Sequence, residues 1–172
     1  GDALHVTTGP AVTYWNPKNV AKGDYTVSAT FLEPKYMSIN DHPHPYGIMI
    51  AGNDLGTEQQ SYLYCTAYGD GRFIVRGFGG PQPFQLGGRA PKADPAVNKA
   101  AGVGQPVTQE IAITVKGDTV SCSITCSTGS RFPSTVTAAM SAAGSTSTTT
   151  AGGSSWCWSM AGQGRRITLT AT

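Results

Sequence analysis

The chain has 172 residues, of which 13% are charged, and its formal net charge is +2. This length is ample for one hydrophobic core and short for two, so we expect a single domain over residues 1–172. So small a net charge, without a basic stripe, argues against nucleic acid as a partner.

The first 124 residues show apolar and polar residues in alternation, in short segments bounded by Gly, Pro, Asn and Asp, which predicts antiparallel strands. Residues 25–31 alternate most cleanly. Residues 46–51 are nearly all apolar, as expected for a central strand covered on both faces. Residues 61–68 place Leu63 and Cys65 on one face and three tyrosines on the other.

Two hairpins follow from the turn residues. Gly-Asp-Gly at 69–71 leads from the tyrosine-rich segment into residues 72–76, and Lys-Gly-Asp at 116–118 joins residues 111–115 to 120–124. Between the hairpins, residues 79–106 are rich in Pro and Gly without periodicity, which indicates a long loop of the kind that often carries a binding surface or lid.

The composition changes at residue 125. Residues 125–172 contain no Asp, Glu or Lys, and residues 141–155 have the Ser, Thr, Ala and Gly content of a linker or glycosylated stalk, although we expect them to be held in place. Residues 156–160 and 165–170 can serve as strands, and we expect the last one to lie beside an N-terminal strand. The predicted fold is all-β, a two-sheet antiparallel jelly-roll sandwich.

No apolar run approaches the ~20 residues needed to cross a bilayer, which predicts no membrane span. The chain starts on polar sequence, so we expect a mature, secreted or periplasmic chain whose signal peptide has been removed. Four cysteines lack the paired spacing of a zinc site, which leaves disulfides or buried thiols. Four cysteines allow three pairings, and the sequence does not choose among them.

Several segments together carry a family resemblance: residues 5–10, 14–17, 23–27, 42–47, 52–54, 59–65, 71–78, 96–100 and 105–111, with the likeness continuing to 123–124. Over residues 4–124 the chain resembles bacterial exported proteins related to the 3-keto-disaccharide hydrolase and laminin-G-like domains. The resemblance implies a concanavalin-like sandwich, whereas a fold shared by many chemistries names no reaction. The tail from Thr125 departs from the family pattern.

A metal site is one hypothesis. His42 and His44 stand two apart in backbone that proline keeps extended, so both rings can project to one side and share zinc or copper. The alternative, a rigid surface loop with two solvated imidazoles, is the favoured interpretation. Calcium could use Asp41, Asn53 and Asp54, but these residue types also stabilise turns, which we favour.

Carbohydrate binding requires aromatic platforms for sugar faces together with amide and guanidinium donors for hydroxyls. The chain supplies both kinds of side chain: Trp15, Gln59, Gln60, Tyr62, Tyr64, Arg72 and Arg76. The tyrosines could equally be packing residues of a sandwich.

Glycoside hydrolysis instead requires two suitably spaced carboxylates. Asp54 and Glu58, which precede the tyrosine-rich strand, are the candidates, and no convincing acid/base pair stands out. The leading prediction is therefore a secreted glycan-binding sandwich. A weak glycosidase of the 3-keto-disaccharide type and a structural, homo-oligomeric subunit that assembles through exposed edge strands are the alternatives.

Overall fold

The computed structural model describes residues 3–8, 12–38, 44–79, 90–125, 154–160 and 165–171. These residues form eleven strands in two antiparallel sheets, so the predicted all-β class is confirmed. In this part of the chain no helix is present that is long and apolar enough to traverse a bilayer.

The five-stranded sheet has the order β1-β11-β3-β8-β9. Its strands span Leu4–Thr8 (β1), Arg165–Ala171 (β11), Tyr25–Glu33 (β3), Val107–Lys116 (β8) and Thr119–Thr125 (β9). The predicted last strand does lie beside an N-terminal one, since Leu4 aligns with Leu169. The tail thus supplies an internal strand to this sheet.

The six-stranded sheet has the order β2-β10-β4-β5-β6-β7. Its strands span Val12–Ala21 (β2), Ser154–Met160 (β10), Tyr46–Asn53 (β4), Ser61–Ala67 (β5), Arg72–Phe78 (β6) and Lys92–Ala93 (β7). Both predicted hairpins are present, as β5–β6 and β8–β9. The predicted long loop contains the short strand β7, and its residues 80–89 lie outside the described residues.

The core lies between the two sheets and is built by one face of each strand. Alternate residues of β3, β8 and β9 meet alternate residues of β4, β5 and β6, and Phe31, Ile111, Ile124 and Cys65 are all fully buried. Burial of these apolar side chains is the main contribution to the stability of the packed sheets. It also fixes the register, because a one-residue slip would turn every core side chain outward.

A disulfide links the sheets through this core. Cys65 of β5 is bonded to Cys122 of β9, 57 residues further along the chain, with the two Cα atoms 6.2 Å apart. The sequence left three pairings open, and the structure selects one bond among the described residues. Cys126 lies outside them, as does most of residues 141–155.

Candidate functional site

The outward face of the six-stranded sheet, the face turned away from the core, carries most of the side chains predicted to bind a ligand. The register aligns Trp15 (β2), Cys157 (β10), Met49 (β4), Tyr64 (β5) and Arg76 (β6) in one row across the sheet. Met49, which belongs to this row, is 0% exposed, and Thr66, which belongs to the neighbouring row, is 1% exposed. Accessible aromatic and cationic groups of this face lie instead on the side of β5 and β6, at Tyr64, Arg76 and Phe78.

That side forms a tyrosine–arginine ladder, which we define as Tyr62, Tyr64, Tyr68, Arg72, Arg76 and Phe78. The hairpin pairs Tyr62 with Phe78 and Tyr64 with Arg76, and the Tyr68 amide donates a hydrogen bond to the Arg72 carbonyl at 2.8 Å. Because side chains on one face of an antiparallel pair stand opposite each other, Tyr62 faces Phe78 and Tyr64 faces Arg76, while the pair Thr66 and Ile74 separates these from Tyr68 and Arg72.

Tyr62 serves mainly as a packing residue. It is 8% exposed, and its ring stacks on Phe78 with the centroids 5.0 Å apart and the planes 17° from parallel. Tyr64 lies on its other side, with the centroids 6.0 Å apart. Tyr62 thus packs against both rings. Of Tyr62 and Phe78, Phe78 is the one exposed to solvent, at 43%.

Tyr64 is half-buried and contacts the charge at Arg76. Burial raises the pKa of its phenol above 10.0, while attraction to Arg76 and a hydrogen bond with that side chain act in the opposite direction. The pKa of Tyr68 is also raised, first by burial and then by Tyr64. Both phenols therefore stay protonated at neutral pH and can donate hydrogen bonds.

The two arginines of the ladder differ in their partners. Arg72 forms an ion pair with Asp70 at 2.6 Å and lies over the Tyr68 ring, 5.4 Å from its centroid. The hydrogen bond that Arg72 donates to the Asp70 carboxylate raises the pKa of Arg72. Arg76, half-buried, has no carboxylate partner among the described residues, and its buried Nε has no hydrogen-bond acceptor there.

The turn between β4 and β5 borders the ladder. The Gln60 side-chain oxygen accepts a hydrogen bond from the Gly56 amide at 3.2 Å, whereas Gln59 is exposed on the turn. Gly56 lies so close to Trp15 that a Cβ there would be 3.1 Å from the indole ring. Trp15 is therefore half covered by this turn and is not an open platform.

Gly79 fixes the end of β6 beside this turn. Its φ of +96° is one that side chains rarely adopt, and an added Cβ would collide with the Gln60 carbonyl and with Ser61. The close approach holds Phe78 next to the start of β5.

The carboxylates do not form an evident acid/base pair. Asp54 and Glu58 are both exposed on the β4–β5 turn, and Asp54 contributes its backbone carbonyl, which accepts hydrogen bonds from Thr57. Glu33 is 0% exposed at the end of β3, packed near Gly69 and Tyr36, where a ligand cannot reach it. Asp70 is engaged by Arg72.

The predicted metal site is not assembled by the described residues, which contain no cluster of three or more His, Cys, Asp or Glu able to hold an ion. His44 is half-buried just before β4. His42 and Asp41 lie outside the described residues, so the histidine pair stays a prediction.

Sequence reasoning singled out four members of the ladder and missed Phe78 and Tyr68 as parts of it. The signal was available for Phe78, because positions 72, 74, 76 and 78 of one strand share a face. Its exposure depends on Gly79 and the β4–β5 turn, which local alternation does not reveal.

No protein-family model matches the chain, and no curated protein matches it. Among solved structures, it is similar to a functionally unknown protein from Saccharomyces cerevisiae at 10% identity and a TM-score of 0.45, covering 98% of this chain and 93% of that one. It is also similar to the alginate lyase from Klebsiella pneumoniae at 15% identity and a TM-score of 0.39, covering 87% and 59% of the two chains.

A third similar structure is the CBM2 module of the evolved Dit protein of Lactobacillus casei BL23 phage J-1, at 12% identity and a TM-score of 0.42. The match covers 94% of this chain and 65% of that one. At these scores and identities, the three likenesses assign neither a fold family nor a function to the chain.

Proposed function

We propose that this chain is a carbohydrate-binding sandwich of the concanavalin-like, jelly-roll kind, and that its ligand lies along the tyrosine–arginine ladder. The observation that carries the proposal is the combination on one sheet edge of an exposed ring, Phe78, with the half-buried donors Tyr64 and Arg76. Sugars present apolar faces that stack on rings and hydroxyls that need hydrogen-bond partners.

The proposed binding surface differs from the one predicted from sequence alone. Tyr62 packs against Phe78, Trp15 is half covered, and Gln59 is exposed on the turn. The proposed contact groups are therefore Tyr64, Arg76, Phe78 and the side-chain amide of Gln60. Arg72 lies at the end of the ladder away from Phe78 and is held there by its ion pair with Asp70.

Binding is favoured over hydrolysis because of the carboxylates. A glycosidase needs one carboxyl group to donate a proton and a second to act as nucleophile or base, both within reach of the bond that breaks. The exposed pair Asp54 and Glu58, the engaged Asp70 and the inaccessible Glu33 support a site without such a pair.

We also infer that the domain works outside the reducing cytosol. Disulfides such as that between Cys65 and Cys122 form and persist in oxidising compartments, and this one lies buried in the core. A secreted or periplasmic location agrees with a glycan ligand.

A glycan array tests the proposal, with wild type compared with Tyr64→Ala and Phe78→Ala. Tyr14→Ala is the matched control, because Tyr14 is 57% exposed on β2 and outside the ladder. We expect both ladder variants to bind more weakly, by about three- to tenfold for Phe78→Ala, and the control to bind as wild type does. No binding of wild type to any glycan, or equal loss in the control, would contradict the proposal. Turnover of the bound glycan that depends on Asp54 and Glu58 would instead favour the hydrolase.

A further inference from the structure

Arg76, within the ladder, has no negative partner among the residues that the structure describes. Arg72 is neutralised by Asp70, whereas no carboxylate in the described part of the chain pairs with Arg76. The buried Nε of Arg76 has lost contact with solvent without gaining an acceptor from those residues. Because Arg76 as a whole is only half-buried, the accessible part of its side chain can meet a ligand, and an anionic ligand would supply the negative charge that the described residues do not.

The ladder offers donors beside Arg76, whereas the carboxylates of Asp54 and Glu58 are exposed on the bordering turn. The raised pKa of Tyr64 reflects its burial, and its neutral phenol can donate to a ligand. Gln60 uses its side-chain oxygen on Gly56, which leaves its amide nitrogen as a donor.

The geometry fits an anionic group attached to a sugar ring. Phe78 and Arg76 stand two residues apart on one face of β6, a separation of about 6.8 Å, comparable with the width of one sugar ring. A ring stacked on Phe78 would therefore bring a substituent at its edge to the guanidinium. The planar fork of arginine matches the two oxygens of a carboxylate.

We propose that the ladder recognises a carboxylated glycan, one built from uronic acids, with the carboxylate held by Arg76 and Tyr64 and the ring stacked on Phe78. This inference rests on the proposed carbohydrate-binding function and names its ligand class. Arg72 is already paired with Asp70, so Arg76 is the ladder arginine that has no carboxylate partner among the described residues.

Calorimetry with three oligosaccharides of equal length tests the inference: an oligogalacturonate, its methyl ester and a neutral gluco-oligosaccharide. The ester keeps the sugar rings and removes the charge. We expect the acid to bind at least about tenfold more tightly than the ester, as a charge-assisted hydrogen bond implies. Arg76→Met should weaken acid binding about ten- to a hundredfold and remove the preference for acid over ester.

Lys116→Met is the matched control, because it deletes one exposed positive charge from the other sheet. Its affinity for the acid should stay within about twofold of wild type, since a distant charge is largely screened. The comparison of acid with ester uses wild type alone, so it decides the matter even where Arg76→Met does not fold.

The outcomes separate the two proposals. Equal or tighter binding of the ester or the neutral sugar overturns the carboxylate inference and leaves carbohydrate binding standing. Tighter binding of a sulfated oligosaccharide of the same length assigns the site to sulfate and overturns the carboxylate. No binding of any glycan overturns both.

Discussion

Successive side chains of the β5–β6 hairpin point to opposite faces of the sheet, and these two faces differ in chemistry. The core face carries Leu63, Cys65 and Val75, all nearly inaccessible to solvent and packed against the other sheet. The outward face carries the tyrosine–arginine ladder, in which Phe78 reaches solvent and Arg76 lacks a charge partner among the described residues.

The core face therefore accounts for stability, and the outward face is the surface proposed to recognise a ligand. Apolar burial explains every side chain on the core face. It does not explain Arg76, which stands opposite Tyr64 and has no carboxylate partner among the described residues, an arrangement that stabilises the fold poorly and suits an anionic ligand. Changes on the core face should therefore have the larger effects on stability, whereas changes at Phe78 and Arg76 of the ladder should mainly alter binding.

The largest effect on stability should come from removing the disulfide between the sheets. Replacing Cys65 and Cys122 together by Ala should lower the free energy of unfolding by about 4 kcal/mol, since the bond closes a segment of 57 residues. Urea unfolding with and without reductant measures this. An unchanged unfolding midpoint on reduction would show that the bond does not stabilise the core face.

A buried polar residue on the inner side of β8 should have the next largest effect. Gln109 is 0% exposed, accepts a hydrogen bond from the Asn98 amide at 3.0 Å and donates one to its carbonyl at 2.6 Å. Gln109→Ala should cost about 2–3 kcal/mol, because both backbone groups lose their partner. The neighbouring exposed residue provides the control: Glu110→Ala should change stability by less than about 0.5 kcal/mol. Equal effects would contradict the account.

Alkaline pH should destabilise the protein through the ladder tyrosines. The pKa of Tyr64 and of Tyr68 is raised above 10.0 by burial, so their contribution is fully present below pH 10.0 and is lost as the pH rises through the folded-state values. Unfolding free energies measured across this range should fall less steeply for Tyr64→Phe than for wild type. Identical slopes would show that Tyr64 titrates as it does in the unfolded chain.

The smallest effect on stability should follow from Phe78→Ala. At 43% exposure the ring contributes little burial, so we expect a loss below about 1 kcal/mol. Glycan affinity should nevertheless fall about three- to tenfold with the loss of a stacking surface. A loss of stability without a loss of affinity would assign Phe78 to packing and would remove the contrast between the two faces.

Local alternation was sufficient to predict the central strands and the separation of Leu63 and Cys65 from the tyrosines. It did not predict β2 as a strand, because β2 is an edge strand that contains Pro17 and is mostly exposed, so its residues lack the usual contrast. The pairing of Cys65 with Cys122 depends on how the two sheets stack, which no local pattern encodes.

The candidate site was predictable in part for the same reason. Period two places Tyr62, Tyr64 and Arg76 on one surface, as expected from the sequence. The covering of Trp15 by the β4–β5 turn and the ion pair between Arg72 and Asp70 depend on contacts between segments. These contacts distinguish packing residues from the groups left for a ligand.

Amide chemical-shift mapping by NMR tests the central claim most directly, with wild-type protein titrated with the glycan that binds best. The account predicts that the perturbed amides cluster in Ser61–Ala67 and Arg72–Phe78 and on the adjoining turn near Gln60. Perturbations confined to the β8–β9 hairpin of the other sheet, or none at saturating glycan, would contradict it.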